Sequence, residues 1–294
     1  MTLEPVIASA ARQSMTSRPV IASAARRSMA AGCVALGGLL FGTQVQADLV
    51  DSIRVVKPSI VIVGSYKATN SPRFTLRGTG FVVASDDQPT SHLVITNAHV
   101  LPPPGQDDDL ASVSVQIQRS KNELEMRKAE LIALDAQHDL ALLRLEGAAV
   151  PALRLGDSAR VQEGQAVAFT GFPIGTALGF SPVTHRGVIS SIASAALPMP
   201  TAQQLNQKAI RGLRAGSFDI FQIDATAYPG NSGGPLFDVE SGAVLAVVNM
   251  VFIKGTRESA LSNPSGISYA IPSQHILPLF QSLPATPTDP RTTR

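Results

Sequence analysis

Seven consecutive residues, Gly230-Asn231-Ser232-Gly233-Gly234-Pro235-Leu236, hold the densest chemistry in the chain. Glycines on both sides of a serine let the backbone turn tightly and bring N–H groups up to a reacting atom. Such a turn serves a nucleophile only if a base takes the hydroxyl proton and an acid orients that base. The stretch Thr96-Asn97-Ala98-His99-Val100 offers His99 at the end of a strand-like run. His138-Asp139-Leu140-Ala141-Leu142-Leu143 offers Asp139 at the start of another. Together they would perform acyl transfer. Two neighbours compete: His138 as a base, because it adjoins Asp139, and Asp135 as an orienting acid. In extended chain, adjacent side chains point to opposite faces, so His138 and Asp139 are not expected to serve one site. His92, His185 and His275 lie in no motif and read as surface or satisfied polar residues. The five histidines show no ligand spacing, so no metal is expected.

Positioning these groups falls to short β-branched runs punctuated by Gly, Pro, Asn and Asp. Strands are expected at Ile60–Val63, Gly80–Ala84, Leu93–Thr96 and Val113–Gln118, the last alternating cleanly at Val113, Val115 and Ile117. The series continues at Leu140–Leu145, Ala166–Thr170, Gly187–Ile192, Phe218–Ile223, Ala243–Phe252 and Ile267–Ile271. Long amphipathic helices are absent, so the pattern means an all-β sandwich or barrel. Glu146–Gly164, loop-like and rich in small residues, divides the body into halves of similar size. Pro102–Asp109 and Ala195–Ser217 are long loops, the second with a short basic helix at Gln203–Arg214. The three acids Asp107, Asp108 and Asp109 match no calcium-loop spacing and read as a solvated turn. A closing helix starts near Ser273, shifted or broken by Pro278, and residues 284–294 form a frayed tail.

The 294 residues are 44% hydrophobic and 16% charged, which fits a globular chain rather than a disordered one. The formal net charge is +2, but residues 1–47 hold four arginines against Glu4 alone. That leaves 20 basic and 21 acidic residues in the body, which gives no footprint for nucleic acid. Met1–Ser14 and Met15–Ser28 agree at 11 of 14 positions, a duplicated start rather than a repeat architecture. Arg26-Arg27, the apolar run Met29–Gly42 and Val45-Gln46-Ala47 follow in the order of a secretory signal, with cleavage expected before Asp48. An organelle transit peptide is the alternative. Cys33 hints at lipid attachment, but most of the apolar run lies after it. A single cysteine allows no disulfide framework, and cleavage before Asp48 would leave a cysteine-free mature chain. The apolar run is too short to span a bilayer comfortably, and no other segment qualifies.

Over residues 49–283 the chain resembles the chymotrypsin-fold serine proteases, and within them the HtrA-type (Deg) branch. The resemblance rests on Gly78-Thr79-Gly80-Phe81, the segments around His99 and Asp139, Gly171–Gly175, Thr184–Ser190, Asp224–Pro235 and Ser268–Pro272. It implies two six-stranded antiparallel β-barrels with the active site in the cleft between them: residues 48–160 carry His99 and Asp139, residues 161–283 carry Ser232. By the same resemblance Ser232 is the nucleophile, His99 the general base and Asp139 the orienting acid, with the N–H groups of Gly230 and Ser232 as the oxyanion hole. Thr226 stands where trypsin-specific enzymes keep an acid, so a small or aliphatic residue is expected before the cut. Asp224, nearby, reads as a structural residue.

The family's usual PDZ domains have no counterpart in the dozen or so residues after Leu283. Trimerisation in similar proteases uses an N-terminal aromatic contact. After residue 47 the first aromatic is Tyr66, and a homo-oligomer is left open. The implied protein is a periplasmic or secreted serine endopeptidase acting on unfolded or exposed polypeptide in protein quality control, without a cofactor. The rival reading is a latent or non-cleaving, chaperone-like binder on the same fold.

Overall fold

A computed structural model describes residues 48–85, 88–102, 110–120, 123–173, 180–194, 218–249 and 266–283. After helix α1 (Leu49–Val56), the first half forms β1 (Ile60–Tyr66), β2 (Phe74–Val83), β3 (Thr90–Ser91), β4 (Leu93–Asn97), β5 (Val113–Ser120), β6 (Glu123–Asp135) and β7 (Leu140–Leu145). β8 (Val150–Pro151) lies in the connection. The second half forms β9 (Ala166–Gly171), β10 (Val183–Ser194), β11 (Asp219–Ile223), β12 (Pro235–Asp238), β13 (Val244–Asn249) and β14 (Ser268–Pro272), then helix α2 (Leu277–Phe280). Two closed antiparallel barrels result, ordered β1-β2-β4-β7-β6-β5 and β10-β11-β14-β13-β12-β9. The expected all-β, two-barrel, chymotrypsin-like architecture is therefore present.

Period-two alternation explains why several strands read as unbroken apolar runs. In β1, Val61 and Val63 fill the first barrel, whereas Ile60 and Ile62 point into a core between the barrels. β7 splits likewise: Ala141 and Leu143 face the barrel interior, Leu140 and Leu142 the seam. Strands apolar on both faces are buried on both faces. The seam receives Phe172, Phe237, Val244, Ile271, Ile276 and Leu279 from the second half, so one continuous core joins the barrels. Each such side chain contributes about 1.5–3 kcal/mol on full burial.

Residues 146–165 carry the chain across: β8 pairs with β3, and bridges link Val83 to Leu153 and Leu155 to Val244. Helix α1 is tied to the second barrel by Ser52 Oγ–H donating to the Val239 carbonyl at 2.7 Å. The closing segment starts at Ser273 as expected, with a 3₁₀ turn to His275 before α2, where Pro278 sits in the first helical turn. The leader 1–47, the helix at 203–214, most of the 102–109 loop and the tail 284–294 lie outside the described residues.

Candidate active site

His99 follows β4 directly, in a 3₁₀ turn formed by Ala98–Val100. Asp139 precedes β7, which pairs with β4 in register Asn97 to Leu140. This pairing sets the two side chains together, although they are 40 positions apart. His99 Nδ1 and Asp139 Oδ2 are 2.5 Å apart, and the His99 backbone N–H donates to Oδ1 at 2.9 Å. The Asp139 carbonyl accepts from the Ala98 N–H and from Asn97 Nδ2, both at 3.0 Å. Both side chains keep partial access to solvent. A carboxylate only accepts, so Nδ1 donates to Oδ2, which in the neutral imidazole leaves the Nε2 lone pair to accept a proton from a hydroxyl.

The expectation that residues 138 and 139 run extended does not hold. They lie in a turn, and Asp139 has φ +53°, a left-handed conformation that Asp tolerates better than most residues. The two imidazoles are nonetheless kept apart. His138 pairs with Asp135 at 2.6 Å instead of competing for Asp139. Burial raises the Asp135 carboxyl pKa, and the hydrogen bonds from His138 and Gln137 more than offset that, leaving it below its ordinary value.

Ser232 comes from the second barrel and is held against the first. The Thr79 N–H of β2 donates to the Ser232 carbonyl at 2.9 Å, and Thr79 Oγ1–H donates to the Gly230 carbonyl at 2.6 Å. Thr79 Oγ1 also accepts the Phe172 N–H at 3.0 Å. At Gly233 the backbone has φ +85°, and a Cβ there would lie 2.1 Å from the Thr79 carbonyl oxygen. Only glycine permits this approach.

Through this run the Asn231 N–H donates to Tyr228, Gly233 to Val248 and Gly234 to Asn231, each at 2.9 Å. The N–H groups of Gly230 (φ +105°) and Ser232 donate to no described residue. Ser232 Oγ likewise makes no hydrogen bond among the described residues. Such contacts are commonly loose until substrate binds.

Thr226 is half-buried in the approach to this turn. Asp224 Oδ1 accepts the Val188 N–H at 2.7 Å, and Ser268 Oγ bridges the Ala225 carbonyl and the Ala227 N–H. Asp224 is thus engaged with β10. Beside His99 a pocket of about 180 Å³ is lined by Thr75, Leu76 and Arg77. Among the described residues no cluster of three His, Cys, Asp or Glu could hold a metal, and no helix is long and apolar enough to cross a membrane.

Two positioning residues were not singled out from the sequence. Asn249, fully buried at the end of β13, donates from Nδ2 to Asp139 Oδ2 at 2.8 Å, tying the acid of one barrel to a strand of the other. A lone amide closing the apolar run Val244–Val248 is the signal that could have marked it. Thr79 lies inside the Gly-Thr-Gly-Phe motif without having been given a task.

A family model described as trypsin-like peptidase domain matches residues 78–247. The probable periplasmic serine endoprotease DegP-like of Ectopseudomonas mendocina (strain ymp) is 31% identical over 209 residues, covering 71% of this chain and 35% of that protein. Its counterpart in Halomonas elongata is 33% identical over 195 residues, covering 66% and 32%. The chain thus spans about a third of the length of these curated relatives. Among solved structures, the HtrA-type protease AlgW with a tripeptide aligns with a TM-score of 0.57 at 24% identity, covering 80% of this chain and 62% of that one. AlgW with a decapeptide aligns at 0.56 and 22%, covering 80% and 67%. These structural matches establish a shared fold.

Proposed function

The chain belongs to the trypsin-like peptidase family, and from that premise we propose that it is a serine endopeptidase cutting unfolded or exposed polypeptide in the periplasm or outside the cell. The observation that carries this reading is the convergence of the barrels. The first presents the His99–Asp139 pair, and the second presents Ser232 on a turn clasped by Thr79. In the proposed reaction Ser232 Oγ attacks the scissile carbonyl carbon while His99 Nε2 takes the hydroxyl proton. The Gly230 and Ser232 N–H groups receive the developing oxyanion. The tetrahedral adduct collapses to an acyl-enzyme as His99 returns its proton to the departing amine. Water, deprotonated by His99, then releases the acyl group and restores Ser232. Throughout, Asp139 holds the Nδ1–H tautomer and stabilises the imidazolium.

Specificity follows from charge. Thr226 offers nothing to pair with Lys or Arg, and Asp224 is engaged with Val188. A small or aliphatic residue such as Ala, Val or Ile is therefore the proposed residue before the cut. The DegP-like relatives, named as periplasmic, and the signal-like order of residues 26–47 support export with cleavage before Asp48.

The test is to recover the protein from the periplasm of an expressing cell, sequence its N-terminus, and map the cuts it makes in a permanently unfolded protein. The expected result is a chain starting at Asp48 that cuts after Ala, Val or Ile, with a Ser232→Ala control that does not cut. Cuts mainly after Lys or Arg would overturn the specificity, and a retained leader would overturn the export route.

A further inference from the structure

The turn joining β6 to β7 carries a second His–Asp pair that the proposed chemistry leaves unused. Asp135 Oδ1 accepts the backbone N–H groups of Gln137 and His138, both at 3.0 Å, while Oδ2 lies 2.6 Å from His138 Nδ1. Those bonds close the turn whose last residue is Asp139. The His138 ring lies flat on His275, with centroids 3.9 Å apart and 21° between planes. Phe218 meets both rings edge-on, at 4.6 and 5.4 Å. His275 and Phe218 belong to the second barrel, so the stack crosses the seam. Ile276 and Leu279, just after His275, share a buried cluster with Leu140 and Leu142, just after Asp139. The turn is braced on both sides of the triad acid.

We propose that Asp135 and His138, braced by His275 across the seam, are positioning residues for Asp139. The inference rests on the peptidase reading above. A left-handed residue other than glycine costs roughly 1–2 kcal/mol, so tertiary contacts must hold it there. The Asp139 carboxylate serves three donors at once, and a displacement that loses one of them also misdirects His99. Misplacement by about 1 Å in such a constellation can cost on the order of 100-fold in rate. Among the described residues, the charged and titratable groups facing His275 are Asp135 at the end of β6, His138 from the β6–β7 turn and Asp219 from β11. Burial first, and the neighbouring His138 second, push the His275 imidazole down to about 4, so it is uncharged near neutrality. The stacked His275 ring then adds no positive charge of its own to this side of the turn.

Two full-chain variants separate the parts. His138→Phe keeps an aromatic ring on His275 but removes the Nδ1 partner of Asp135; His138→Asn keeps an N–H donor near that position. Steady-state rates on a peptide with an aliphatic residue before the cut would be recorded from pH 5 to 9. His138→Phe should lower kcat about 10-fold with KM changed by less than about two-fold. A displaced carboxylate stabilises the imidazolium less, so the midpoint of the acid limb of kcat/KM should fall by about 0.5 pH unit or more. His138→Asn should restore the midpoint and bring kcat back to within about three-fold of the parent.

Unfolding at acid pH would raise the apparent midpoint, whereas the proposal predicts a fall, so partial unfolding cannot imitate the result. A parental midpoint in His138→Phe, or a His138→Asn enzyme as impaired as His138→Phe, overturns the proposal while leaving the peptidase reading intact. A parent that cuts no faster than Ser232→Ala overturns both.

Discussion

Replacing Asp139 by Asn changes one atom and should nearly abolish turnover. In the parent, Oδ2 accepts from His99 Nδ1 and from Asn249 Nδ2, while Oδ1 accepts the His99 N–H. An amide cannot serve all three donors. With its oxygen at the Oδ2 position, its NH₂ faces the His99 N–H, leaving a donor without an acceptor at about 1–3 kcal/mol. Turned the other way, the NH₂ faces Nδ1, and Asn249 can flip its own amide to accept from it. That arrangement is satisfied only if Nδ1 gives up its proton. Nε2 then carries the hydrogen, and His99 cannot accept from Ser232. The charge that stabilises the imidazolium is lost in either case. Neutralising the acid of such a triad lowers turnover about 10⁴-fold. Here the expected loss in kcat is about 10³–10⁴-fold, equivalent to roughly 4–5.5 kcal/mol of transition-state stabilisation. The assay is steady-state hydrolysis of a peptide, with melting curves to show that the variant is folded. Asp135→Asn, made in parallel, should cost far less because Asp135 touches His138 and not His99. Near-parental turnover in Asp139→Asn, together with its loss in Asp135→Asn, would refute the assignment.

Two further outcomes follow from the same contacts. Asn249→Leu removes the amide that reaches Asp139 Oδ2 across the seam, a charge-assisted bond worth about 1.5–3 kcal/mol, so kcat should fall about 10- to 150-fold with KM little changed; a change confined to KM would place Asn249 outside the positioning of the acid. His275, held at about 4 in the fold against an ordinary value of 6.5, is protonated first in the unfolded chain, so its contribution to stability is whole above pH 6.5 and is lost as the pH falls to 4. His275→Phe should therefore show a flatter melting-temperature profile across that window, and an unchanged slope would contradict the burial argument.

The sequence showed those strands whose two faces are both apolar, such as β1, β4 and β7, and those that alternate cleanly, such as β5. It hid β6, where Arg127 occupies a buried position. That arginine is accommodated because its Nε donates to Glu125 at 2.8 Å and another nitrogen donates to the Ala148 carbonyl. Neither bond can be read from periodicity. β12 was hidden because it has four residues and opens on Pro235. In the candidate site, His99, Asp139 and Ser232 could be singled out because each sits in a local motif. Thr79 and Asn249 were not, since their tasks come from partners 151 and 110 positions away. The left-handed turn at Asp139 was hidden too, because hydrogen bonds within 135–138 override the extended reading of the residues before β7.

Labelling with a fluorophosphonate probe, followed by mass spectrometry of the adduct, tests the nucleophile most directly. A nucleophilic serine beside a base, with N–H donors aimed at the oxygen, should attack phosphorus faster than any other hydroxyl of the chain. The expected result is a single adduct on the peptide containing Ser232, absent in Ser232→Ala and strongly slowed in His99→Ala. No adduct on the parent chain, or one that persists in Ser232→Ala, would contradict the assignment of Ser232 as the nucleophile of a serine peptidase.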